Sequence, residues 1–351
     1  MLHVESVHIG EMLLTVSTLL KKSGVSIAIL EYIILYQTHT SLISVNVSAT
    51  IALSTNEVSL VGDWAKDPRK EIPKLPAHFK CSFITMHNKT IIVGGKPRNA
   101  NVFKCLKLHH GMWKEHSILN EERMSPSVVA TDNGTFIFGG DGPNEWNGMS
   151  TNRISYEYLP KDSTAWKVGK TQVPTPWSMG KGCAISIPSD KLIWIMGTLC
   201  NVSSILKFNV DTHTFLKSNT TTKEKRRQKR CISIPGTKKI LITGGTSYFG
   251  TALNTTEIFD TETETISFGP PMNIARASHG IGIMTINSDN RIVVFGGTDN
   301  ENIEEGGLLD SVEFYNTKAE KWTLTNLRLT KADVFHGNIS IKGNFISDLL
   351  E

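Results

Sequence analysis

The sequence predicts an all-β fold in which four-stranded antiparallel sheets repeat along the chain and pack side by side around an axis. Three observations predict it. Short apolar runs ending in a glycine pair recur at Gly94-Gly95, Gly139-Gly140, Gly244-Gly245 and Gly296-Gly297, with Met196-Gly197 as a degenerate copy. From first glycine to first glycine, taking Met196 for the degenerate copy, the steps are 45, 57, 48 and 52 residues. Downstream of each copy, one large apolar residue stands seven positions after the end of another apolar run: Trp113, Trp166, Phe215, Ile266 or Trp322. The composition is that of a folded chain: 351 residues, 39% hydrophobic, 20% charged and a net charge of +4. It excludes collagen-like and low-complexity classes, and so mild a charge does not call for nucleic acid.

Taken in order, each unit opens with a basic residue (Arg123, Lys181, Arg230 or Arg276) ahead of an apolar first strand. A polar hairpin, Thr131-Asp132-Asn133-Gly134 in the second unit, leads to the second strand, which ends at the glycine pair. Glycines there let the chain turn with positive φ and let neighbouring backbones approach. The third strand carries a glutamate beside aromatic or aliphatic residues, as in Glu157-Tyr158, Glu257-Ile258-Phe259 and Glu313-Phe314-Tyr315. A turn rich in Asp, Asn and Thr follows, and the tryptophan or its substitute opens the fourth strand. One such sheet cannot cover both of its faces, and neighbours packed around an axis can.

The glycine doublet, the downstream Tyr or Phe and the Trp after it resemble kelch repeats, over roughly residues 47–348. The resemblance implies a kelch-type β-propeller with one blade per repeat. Met196-Gly197, Phe215 and Ile266 depart from the pattern, so the third and fourth blades are expected to be less regular. Residues 335–341 and 345–348 read as the first two strands of one more blade. Residues 50–53 and 58–61, from the other end of the chain, read as its third and fourth strands. The expectation is six blades, the last closed by both termini. Seven is the alternative, resting on a strand pair within residues 31–43. Residues 47–351 are then the propeller. Residues 1–46 form a leader, read either as a signal peptide or membrane anchor or as extra strands: apolar runs at 12–20 and 25–36 are broken by Lys21-Lys22 and by Glu31.

No two of the five cysteines stand at Cys-x-x-Cys spacing, and they read as buried thiols acting as small apolar residues. Seven Asn-x-Ser/Thr sequons exceed the about four that composition predicts. Asn88, Asn133, Asn219 and Asn254 are the glycosylation candidates, and a secreted or secretory-lumen location is expected, with the cytoplasm as alternative. Catalytic motifs are lacking: there is no Walker loop and no Gly-x-Ser-x-Gly elbow. His109-His110 with His116 reads as polar turn residues rather than a metal site. Kelch-type copper oxidases and sugar epimerases exist, but none of their ligand positions can be matched here. No cofactor and no metal are therefore expected.

The sharpest charge feature is 223–230, with six basic residues in eight. Lys225, Arg226, Arg227 and Lys229 are the candidate binding residues of that loop, together with Trp146 and Trp177 from other loops. The function expected is a non-catalytic, monomeric interaction module that grips a protein partner through blade loops. The alternative is a secreted, glycosylated, carbohydrate-active enzyme. Relatives that act as ubiquitin-ligase adaptors carry a dimerisation domain ahead of the propeller, for which this leader is short.

Overall fold

The computed structural model describes residues 48–54, 58–61, 82–86, 89–93, 104–109, 112–123, 126–140, 155–169, 182–187, 191–199, 202–286, 289–300, 307–329, 332 and 335–342. The regular elements among them are all β-strands. An N-terminal hairpin, β1 (Ser48–Ser54) and β2 (Val58–Val61), precedes five four-stranded antiparallel meanders. The first blade holds β3 (Ser82–Met86), β4 (Lys89–Val93), β5 (Lys104–His109) and β6 (Met112–Ile118). The second holds β7 (Ser127–Thr131), β8 (Gly134–Phe138), β9 (Tyr156–Pro160) and β10 (Lys167–Val168). The third holds β11 (Cys183–Ser186), β12 (Leu192–Leu199), β13 (Val202–Asn209) and β14 (Thr214–Lys217). The fourth holds β15 (Arg230–Ser233), β16 (Lys239–Thr243), β17 (Thr256–Asp260) and β18 (Thr265–Gly269). The fifth holds β19 (Gly280–Ile286), β20 (Asp289–Phe295), β21 (Ser311–Asn316) and β22 (Lys321–Arg328). The last strand, β23 (Phe335–Lys342), joins the N-terminal hairpin in a sixth sheet ordered β2-β1-β23.

Both ends of the chain thus share one sheet, as the sequence predicts, but in different places. β1 pairs directly with β23, from Ser48 opposite Lys342 to Ser54 opposite Phe335. The N-terminal strands therefore take the second and third positions, not the third and fourth. The second strand expected at 345–348 lies outside the described residues, as do residues 31–43, on which a seventh blade would rest. Among the described residues the six inner strands follow one another in a cycle: β3, β7, β11, β15, β19 and β23 pack side by side, and β23 returns to β3.

Burial peaks at the second strand of a blade: the inner strands β7, β11 and β15 are only partly buried, and the outer strands least so. β8 is buried at every position, because sheets cover both of its faces, whereas β18 and β22 alternate or lie open. The cores are shared between blades. Phe136, Phe138 and Tyr156 pack against Phe208 and Phe215 of the third blade, and Trp194 and Met196 against Ile240, Ile242 and Phe259 of the fourth. The repeated tryptophans close these seams. Trp166 Nε1 donates to Ser117 Oγ at the end of the first blade (2.8 Å), and Trp322 Nε1 to the Pro270 carbonyl beside the fourth (3.0 Å). Trp113 stands in β6 opposite Leu108. Cys183 and Cys231, on neighbouring inner strands, form a disulfide, which corrects the free-thiol reading for this pair; Cys105 is buried and outside any disulfide.

The three described doublets adopt the backbone expected of them, at φ 62° and 100° (Gly139, Gly140), 52° and 97° (Gly244, Gly245) and 60° and 92° (Gly296, Gly297). Gly94 and Gly95 lie outside the described residues. Where the doublet degenerates, the chain runs straight on: β12 continues through Gly197, paired with Ser204, to Leu199, paired with Val202. The third blade thus replaces a wide loop by a tight hairpin.

Candidate functional site: the loop face of the fourth blade

A buried ion pair repeats in three blades and organises one face of the ring. Arg123, Arg226 and Arg276 are fully buried beside the equally buried Glu157, Glu257 and Glu313, at 3.1, 2.8 and 2.9 Å. Each arginine donates Nη1 to the carbonyl of the first doublet glycine, at 2.7 Å (Gly139), 3.0 Å (Gly244) and 2.9 Å (Gly296). Each also reaches the carbonyl of Ser155, Thr255 or Ser311, at or just ahead of the start of the third strand. Each glutamate accepts two successive backbone N–H groups from the segment that enters the blade: Asn120 and Glu121, Lys223 and Glu224, Asn273 and Ile274. Burial pulls the Arg276 pKa down, and the bond to Glu313 opposes that pull. With this many hydrogen bonds, such a pair fixes geometry more than it adds stability. Here it pins the entering loop to the glycine turn, so both loops sit on one rigid frame.

This geometry splits the basic run. Arg226, not Arg230, is the structural arginine of the fourth blade; Arg230 lies in β15 and donates Nε to the His279 carbonyl (2.9 Å). Lys229 is also fully buried, with Nζ donating to the Arg226 carbonyl (3.3 Å). Arg226 and Lys229 are therefore removed from the binding surface, because neither charge reaches solvent. Lys223, Lys225 and Arg227 remain exposed. Burial, with the nearby Arg226 charge, lowers the Lys229 pKa to about 7. An unfolded lysine titrates at about 10.4, so the unfolded chain binds more protons between those values, and stability rises with pH across that window. Lys229→Met is expected to flatten that rise; urea midpoints for both proteins at pH values spanning 7 to 10 check it.

Beside this loop stands the connection between β16 and β17. Thr246 and Arg227 exchange both backbone hydrogen bonds (2.9 and 2.8 Å), joining the two loops. A tight turn follows: Ser247 donates to the Thr251 carbonyl, Gly250 donates to the Ser247 carbonyl, and Gly250 has φ 84°. Thr251 also bridges to Asn300 in the fifth blade's equivalent loop. At the tip, Tyr248 is 61% exposed and Phe249 is 89% exposed, their rings edge to face at 5.5 Å. Two adjacent aromatics held in water on a braced turn, with exposed Lys225 and Arg227 on the adjoining loop, form a contact surface that buries much area at low entropic cost.

Sequence reasoning missed Tyr248 and Phe249. The signal was their place just after a doublet, the same place that singled out Trp146. Trp146 and Trp177, like Asn88, lie outside the described residues. Among the described residues three sequons are exposed: Asn133 in the β7–β8 turn, where its amide bonds Asp211 Oδ1 (3.3 Å), Asn219 after β14, and Asn254, whose amide bonds the Met272 carbonyl (3.2 Å). Among the described residues no three His, Cys, Asp or Glu side chains gather as a metal site.

Comparison with known proteins agrees with this architecture. The family described as Kelch motif matches residues 286–325, from the end of β19 to β22. No relative is found among the curated proteins compared. Of the solved structures, one titled "Structure of YjhT" aligns with a TM-score of 0.58 at 11% identity, over 75% of this chain and 88% of that one. At that identity the likeness is one of fold.

Proposed function

We propose that the chain, a β-propeller that matches the Kelch motif over residues 286–325, is a non-catalytic interaction module gripping a protein partner through the loop face of its fourth blade. The observation that carries this reading is the exposed Tyr248–Phe249 pair, two large aromatics side by side in solvent. Aromatic anchors of this kind dominate interface energetics, each costing about 2 kcal/mol or more when truncated. The flanking Lys225 and Arg227 steer encounter and sit where a polar rim belongs. The Tyr248→Ser, Phe249→Ser double variant is expected to keep its thermal midpoint, because neither ring supports the core, and to lose partner binding by about 30-fold or more. Proximity labelling in the native cell, wild type against variant, checks this: an unchanged set of labelled proteins contradicts it.

We further propose that the protein belongs to the secretory lumen or the exterior. The Cys183–Cys231 disulfide and the exposed Asn133, Asn219 and Asn254 support that location, since disulfides persist in oxidising compartments. Peptide-N-glycosidase treatment of native material is expected to lower its apparent mass; no change argues for the cytoplasm.

A further inference from the structure

On the face opposite the loop surface, where the β15–β16 and β21–β22 turns emerge, a cavity of about 220 Å³ opens between the fourth and fifth blades. Pro235-Gly236 forms one wall; Asn290 and Arg291 of β20 and Asn316, Thr317 and Lys318 of the β21–β22 turn form the other. Two features point to a ligand. Arg291 has its Nε buried and without a hydrogen-bond partner. Three other arginines of this chain are buried against a glutamate, and among the described residues no carboxylate pairs with Arg291. The wall is also made of donors. Asn316 Oδ1 is occupied by the backbone N–H groups of Lys318 and Ala319, leaving its Nδ2 to donate. Asn290 and Thr317 add neutral polar groups, Lys318 adds a second positive charge, and no Asp or Glu is among the lining residues. Glu320, two residues on in the same turn, is not part of the wall. Gly236, at φ 74°, leaves open space where a side chain would stand.

We propose that this niche binds a phosphoryl dianion through the Arg291 fork and the Lys318 ammonium. The cavity is below the usual range of about 300–1,000 Å³ for small-molecule pockets and suits one charged group rather than a large ligand. A guanidinium fork with a nearby ammonium matches the geometry and charge of a phosphoryl group. The group is presented either by free phosphate and small phosphate esters or by a phosphorylated side chain of another protein. The site is independent of the loop face.

Calorimetric titration of the whole protein with inorganic phosphate and with a phosphoserine peptide, at constant chloride, tests the assignment. Saturable binding is expected at millimolar affinity or better. Arg291→Gln should weaken it at least tenfold, and Lys321→Gln, an exposed change on β22, should leave it unaltered. Thr317→Glu, which places a carboxylate at the mouth without touching the core, should abolish binding at an unchanged thermal midpoint. Tighter binding of the peptide than of inorganic phosphate identifies a phosphorylated partner, and equal binding identifies the free ion. Binding of neither probe, or binding that survives both Arg291→Gln and Thr317→Glu, overturns the proposal.

Discussion

Glu313→Ala is expected to cost about 3–5 kcal/mol of folding stability, enough to abolish most of the reserve of a typical domain. The carboxylate accepts from Asn273 N and Nδ2, Ile274 N and Arg276 Nε and Nη2, and its removal strands a buried guanidinium together with two backbone N–H groups. Arg276→Ala should cost a similar amount, because it leaves Glu313 charged and buried and frees the carbonyls of Gly296 and Ser311. The double replacement should cost less than the sum of the two, as expected for residues sharing one network. Chemical denaturation of the four proteins measures this. Simple additivity would mean that the pair acts as two independent contacts and not as the clamp described above.

Gly245→Val should be still more damaging, at about 4 kcal/mol or more. The backbone at 245 has φ 97°, a region closed to β-branched residues. A Cβ there would stand 2.4 Å from the Arg227 carbonyl oxygen and 3.1 Å from the Lys229 nitrogen, so the entering loop would have to move. The same substitution at Gly236, whose Cβ would meet nothing within 4 Å, carries the backbone strain without the collision and should cost distinctly less. The difference between the two midpoints isolates the close approach of backbones for which the doublets exist.

The blades were legible because their needs are local. A turn with positive φ selects glycine, so the doublets mark strand ends, and Trp166 and Trp322 mark the seams they close. What escaped depends on distant partners. In a run holding six basic residues, nothing nearby separates Arg226 from Arg230; the distinction comes from Glu257, 31 residues along the chain from Arg226. The apolar pattern of β1 fits the second or the third position of the closing sheet equally well, and only pairing with β23 decides. Cys183 and Cys231 are one repeat apart, which places them at matching points of neighbouring inner strands, yet spacing alone does not bring two sulfurs together. Tyr248 and Phe249 were plain in the sequence, but exposure at a loop tip has no periodicity to betray it.

The most direct measurement is site-specific photo-crosslinking in the native cell, with a benzoylphenylalanine at position 249 and, in a parallel sample, at position 321 on an outer strand. Both positions are exposed, and only the first belongs to the loop face. A discrete crosslinked protein at 249, absent at 321 and displaced by unlabelled wild-type propeller, is the predicted result. No adduct at 249, or the same adducts from both positions, would contradict a binding surface on the fourth blade.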